Sequence, residues 1–145
     1  MISHLNKPRI LSKAQIEAAV KFHGHSGPFL VLGLRIGQLA LRLLDAKGYF
    51  DIRCAAELQW SPPDSCIVDG IQFSTGCTMG KHNIEVAERE GVAATFMKDG
   101  KSLRIELKPA LLEHIRRSFE DRTEEELTEK LIDASDEEIF DIRSI

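Results

Sequence analysis

The segment that most constrains the fold is the apolar run from Phe29 to Leu44, whose only polar side chains are Arg35, Gln38 and Arg42. These three fall at intervals of three and four, so in a helix they form one stripe on an otherwise apolar cylinder. Such a helix is predicted to be central, with its stripe at a surface or a subunit contact. The run is shorter than the roughly 20 residues of a membrane span and is interrupted by charge, so no span is expected.

What precedes this helix is equally directive. Ser12-Lys13-Ala14-Gln15 has the form of a capping box flanked by Leu11 and Ile16 as a hydrophobic staple, which predicts a helix from Lys13 to about Phe22. His23-Gly24-His25-Ser26-Gly27 should end it, because two glycines weaken helical continuation and Pro28 disfavours a helical residue before it. Pro28 then suits the first turn of the apolar helix.

Beyond the helices the pattern turns to strands. Cys54 to Trp60, Asn83 to Ala87, Ala93 to Met97 and Ser102 to Leu107 are strand candidates. The last two flank Asp99-Gly100, a strong hairpin signal, and Leu103, Ile105 and Leu107 alternate as one buried face. Cys66 to Ser74 reads as a short helix started by Asp64 or Ser65. After Pro109, Thr123-Glu124-Glu125-Glu126 and Ser135-Asp136-Glu137-Glu138 repeat the capping-box pattern and predict short terminal helices. The expected fold is α+β: a mainly antiparallel sheet of about four strands packed with helices. At 145 residues and 43% hydrophobic, with no repeat or linker, residues 1–145 are expected to form one domain.

Charge narrows the partners. The net charge is -4; residues 110–145 hold 12 acidic and 5 basic side chains, a balance of -7, which leaves +3 for the remainder. A basic footprint for nucleic acid is lacking, so no nucleic-acid partner is expected. The acidic C-terminal part reads first as solvated helix faces. Three cysteines cannot all pair within one chain, and the N-terminus does not read as a signal peptide, so a reducing cytoplasm is expected.

The residues suited to chemistry are few. His23 and His25 would point about 200° apart in a helix, so they converge only if the segment loops, which Gly24 makes easier. The amides that begin the next helix favour neutral imidazole, the metal-binding form. Two histidines near a helix end also serve as caps or face solvent. Cys66 should occupy the first helical turn, a position that lowers a thiol pKa and makes it a ligand or nucleophile. Free cysteine is also a common core residue. Asp69, one turn on, is placed to hold a ligand, take a proton or pair with a base. Cys77 lies in a glycine loop open to close approach, with Lys81 and His82 at its border; the spacing from Cys66 is not a compact zinc-ribbon spacing. Cys54 reads as core, and His4 and His114 as surface. Two imidazoles, two thiols and a carboxylate form a set suited to zinc, iron or nickel.

Phe22-His23-Gly24-His25 with Gly27-Pro28, Asp64-Ser65-Cys66-Ile67-Val68-Asp69-Gly70-Ile71-Gln72, and Thr75-Gly76-Cys77-Thr78-Met79-Gly80-Lys81 form a three-part pattern. Across residues 13–108 it resembles the E-subunit family of formylmethanofuran dehydrogenase. The resemblance implies an α+β domain, a homodimer, and a pocket in which His23, His25, Cys66 and Cys77 gather around a divalent transition metal, zinc first, with nickel or iron as alternatives. It also implies a larger redox enzyme complex of molybdenum- or tungsten-dependent one-carbon metabolism as partner. Two departures accompany it: Gly27 stands where members often carry cysteine, and the small cysteine-rich zinc module of many members is not expected to contribute to function here. Two other functions fit the same residues. One is a small-molecule enzyme with Cys66 as nucleophile or metal ligand and His25 or Asp69 moving a proton; the other is a structural docking subunit.

Overall fold

The computed structural model describes residues 11–145. Helix α1 spans Lys13–His23, and its capping box forms as the sequence predicts: Ser12 N–H donates to Gln15 Oε1 at 2.8 Å and Gln15 N–H to Ser12 Oγ at 3.0 Å. Helix α2 spans Pro28–Leu43 and is buried over most of its length. After strand β1, Arg53–Leu58, come α3, Cys66–Thr75, and a 3₁₀ turn at Met79–Lys81. Strands β2, Ile84–Glu88, β3, Ala93–Lys98, and β4, Lys101–Leu107, follow. Helices α4, Pro109–Asp121, α5, Glu124–Asp133, and α6, Asp136–Ile139, lead into β5, Phe140–Ser144.

Five strands among the described residues form one sheet in the order β2-β1-β3-β4-β5. Of its pairings only β1 with β2 is parallel, because the chain between them crosses over through α3; the others are antiparallel. The β3–β4 hairpin turns at Asp99 and Gly100, both at positive φ (51° and 79°), as Asp-Gly predicts. Cys54 pairs with Phe96 and Phe96 with Leu103, so one row of buried side chains crosses the sheet. The fold is the expected α+β, with five strands in place of about four. Residues 140–144 escape a strand reading because they follow directly on an acidic capping box that points to helix, although Phe140 and Ile142 alternate with polar residues as a strand requires.

Helices α2 and α3 meet backbone to backbone. A Cβ on Gly70 would lie 2.5 Å from the Leu30 carbonyl oxygen and 2.7 Å from the Leu34 nitrogen, and one on Gly33 would collide with the Ile67 carbonyl. The N-terminal ends of both helices are thereby drawn together.

Three local expectations change. Within the Arg35, Gln38, Arg42 stripe, Gln38 and Arg42 are half-buried, whereas Arg35 is 2% exposed and donates to the carbonyls of Leu131 (2.6 Å), Ile132 (3.1 Å) and Ala134 (2.6 Å). Arg35 and Arg42 also share the Asp136 carboxylate, at 3.1 and 2.7 Å. The two arginines thus face the end of α5 and the residues just after it, while Gln38 lines a separate cleft with Gln15 and Phe73. The Thr123 capping box does not form, since Thr123 N–H instead donates to the Ser118 carbonyl at 2.8 Å, whereas the Ser135 box does. Neither Asp64 nor Ser65 caps α3 with its side chain; Asp64 is buried and accepts two bonds from Arg116, at 3.1 and 2.9 Å.

Candidate metal centre

Three chain segments meet where α1 ends and α3 begins. Gly24 caps α1 at φ 111°, a conformation that L side chains rarely adopt, and its N–H donates to the Val20 carbonyl at 2.6 Å. This left-handed turn brings His25 back over His23, their ring centroids 4.5 Å apart. Cys66 is the first residue of α3, and Asp69 follows one turn along.

The hydrogen bonds orient both imidazoles. His23 Nδ1 lies 2.6 Å from Asp69 Oδ2, and His25 Nδ1 lies 3.2 Å from the Ser26 carbonyl oxygen. A carboxylate and a carbonyl only accept, so each Nδ1 is the donor and carries the ring proton. With Nδ1 as the donor in each ring, the Nε2 lone pairs face one another across 3.1 Å. Two converging lone pairs call for a cation or a proton between them. The Cys66 thiol completes a group of three whose ligand atoms all lie within 4.8 Å of one another.

That donor set fits a metal. Two imidazole nitrogens on a tetrahedral zinc are about 3.3 Å apart, and a nitrogen and a thiolate about 3.6 Å. The histidine pair is already near that spacing, and Cys66 needs only a small side-chain adjustment. The bond from Asp69 to His23 is the carboxylate support that metal-bound imidazoles generally have.

Cys66 behaves differently from the expectation set by its position. Burial pushes its thiol above the ordinary value of 9.0, and the charges of Asp69 and Asp64 push it further. The helix start does not outweigh these effects, so metal-free Cys66 holds its proton.

Cys77 does not join the group. It follows the far end of α3, a helix of 10 residues, and at about 1.5 Å per residue that places it roughly 15 Å along the axis from Cys66. Its side chain is fully buried and its Sγ donates to the Ile52 carbonyl at 3.4 Å. Cys54 is buried with it, and each thiol is raised above its ordinary value chiefly by burial. Lys81 and His82 stand at that same far end, Lys81 5.6 Å above the Phe50 ring and His82 exposed. His114 is exposed on α4, and His4 lies outside the described residues.

Beside His25 and Cys66 opens a cleft of about 230 Å³, bounded by Gly27, Phe29, Pro63 and Phe119. The sequence alone does not single out Phe119; its place in α4 is held by the Arg116–Asp64 pair one turn earlier. Leu111, Leu112 and Ile115 are apolar in the same helix, so Phe119 carries no separate sequence signal.

Residues 22–144 match the family described as "FmdE, Molybdenum formylmethanofuran dehydrogenase operon". The chain belongs to the FmdE family. Among solved structures, it resembles a tungsten formylmethanofuran dehydrogenase FmdE-like protein from Syntrophus aciditrophicus, determined at 1.90 Å resolution. The TM-score is 0.62 at 22% identity, covering 92% of this chain and 71% of that one, a likeness of fold. A probable S-adenosyl-L-methionine-binding protein from Archaeoglobus fulgidus is 32% identical over 109 residues. That match takes in 70% of this chain and 28% of the relative, so this FmdE chain spans under a third of that protein's length.

Proposed function

We propose that this FmdE-family chain holds a divalent transition metal, zinc first, with nickel or iron as alternatives. His23, His25 and Cys66 are the ligands and Asp69 positions His23. The observation that carries this reading is the pair of Nε2 atoms 3.1 Å apart, each ring turned by an acceptor at its Nδ1, with Cys66 beside them. Three protein ligands leave a fourth position open, the arrangement of reactive rather than purely structural zinc sites. Metal binding would replace the Cys66 proton, which burial and Asp69 otherwise retain.

The family's tie to a molybdenum formylmethanofuran dehydrogenase operon supports an accessory role in molybdenum- or tungsten-dependent one-carbon redox metabolism alongside a larger complex, and a homodimer is proposed with it. Free Cys54, Cys66 and Cys77 suit the reducing cytoplasm. No helix among the described residues is long and apolar enough to cross a membrane. A second reading, a small-molecule enzyme, is favoured by one observation: His25 and Cys66 line a cleft.

Elemental analysis of untagged protein, reconstituted under reducing conditions, tests the metal. About one ion per chain is expected, lost in His25→Ala and Cys66→Ala, with Asp69→Asn binding about 10- to 100-fold more weakly. Less than about one-tenth of an ion per wild-type chain after reconstitution overturns the reading.

A further inference from the structure

We infer that the centre takes a small ligand with a flat apolar body and no anionic tail, its donor atom entering beside Gly27 and its body lying against Phe119. This rests on the metal reading above. A Cβ at Gly27 would stand 3.9 Å from Cε1 and Nδ1 of His25, an ordinary contact, and the residue's φ of 177° is open to any side chain. Glycine at this point therefore leaves an unfilled opening next to the imidazole.

The opening leads into the cleft of about 230 Å³, where Phe29, Pro63 and Phe119 present apolar walls. Phe119 is 39% exposed, yet its ring lies parallel to that of buried Phe29, with centroids 6.2 Å apart and an interplanar angle of 6°. It is thereby held as a flat wall and retains free surface. The cleft is smaller than the roughly 300–1,000 Å³ of drug-sized pockets, which sets the ligand's size.

Charge sets its other end. A second cleft of about 490 Å³ shares Ser26, Gly27 and Glu124 with the first and adds Glu125, Glu126 and Glu129. Among the described residues, neither cleft is lined by a lysine or arginine. A carboxylate or phosphate tail emerging there meets like charge, whereas an ammonium tail meets its complement.

The test loads the full chain with cobalt(II) and follows its visible absorption during titration with imidazole, phenylimidazole, and phenylimidazole bearing a para carboxylate or a para aminomethyl group. Phenylimidazole should bind about tenfold or more tightly than imidazole. The aminomethyl probe should match or exceed phenylimidazole, and the carboxylate probe should fall below it. Phe119→Ala should remove most of the phenyl preference at unchanged cobalt content, with Phe119→Leu intermediate. The combined Glu125→Gln, Glu126→Gln, Glu129→Gln variant should raise affinity for the carboxylate probe. Cobalt-loaded protein that binds imidazole and phenylimidazole equally, or prefers the carboxylate probe, overturns this inference alone. Protein that takes up no cobalt overturns the metal reading and this inference with it.

Discussion

At the scale of single residues, the candidate centre is defined by which atoms carry protons. Acceptors at both Nδ1 atoms turn two lone pairs toward one point, while burial and neighbouring carboxylates keep the third donor, Cys66, protonated. The direction of that shift has a measurable consequence. In metal-free protein, Cys66 should be alkylated by iodoacetamide more slowly than free cysteine at pH 8, gaining rate only as pH rises past the ordinary thiol value of 9.0. Zinc should slow it further, and peptide mass spectrometry resolves Cys66 from buried Cys54 and Cys77. Alkylation of the metal-free thiol faster than free cysteine would instead support the nucleophile reading. The same direction bears on stability. A thiol raised in the folded state retains a proton that the unfolded chain loses above 9.0, so folded stability declines as pH rises beyond that value.

At the scale of elements, the centre depends on two helices being closer than side chains permit. Gly33 and Gly37 on α2 face Gly70 and Ser74 on α3, and the resulting backbone contact draws the start of α3 up to the loop that holds His23 and His25. Gly70→Ala would press a methyl group on the Leu30 carbonyl and the Leu34 amide, which belong to a buried helix and cannot give way. The expected cost is about 1–3 kcal/mol in urea denaturation. Metal affinity should fall too, because separating the helices moves Cys66 away from the histidines. Unchanged stability would show that the two helices are free to part.

Across the whole molecule, Arg35 joins the central helix to the end of the chain. Its guanidinium gathers carbonyls of Leu131, Ile132 and Ala134 and, with Arg42, the carboxylate of Asp136, so α2 holds the turn that launches α6 and β5. Arg35→Met retains much of the apolar stem but leaves these acceptors unpaired, at an expected cost of about 3–5 kcal/mol. Denaturant midpoints measure the loss. Proteolysis confined to the residues after Ala134 would show that β5 detaches before the remaining sheet, and a loss below about 1 kcal/mol would mean water satisfies the released carbonyls.

Elements whose signals are local are legible in the chain alone. The Ser12 and Ser135 capping boxes, the Pro28 helix start, the Asp99-Gly100 hairpin and the alternation in β4 each rest on contacts within a few residues, and all form as read. The proximity of His23, His25 and Cys66 follows from element ends and from family resemblance, because loops and helix starts leave side chains free to meet. Tertiary structure decided the rest. It separated Cys77 from the other three by the length of α3, buried Arg35 of a stripe expected at a surface or a subunit contact, and raised a thiol that its helix position alone would have lowered. Distant groups enter twice: carbonyls nearly a hundred residues from Arg35 receive its guanidinium, and the packing of α2 on α3 through their glycines contributes to the burial that raises Cys66, with Asp64 and Asp69 adding charge nearby. Such long-range pairings carry no periodicity of their own, so the sequence states which groups need partners while only the packed molecule determines which partners they meet.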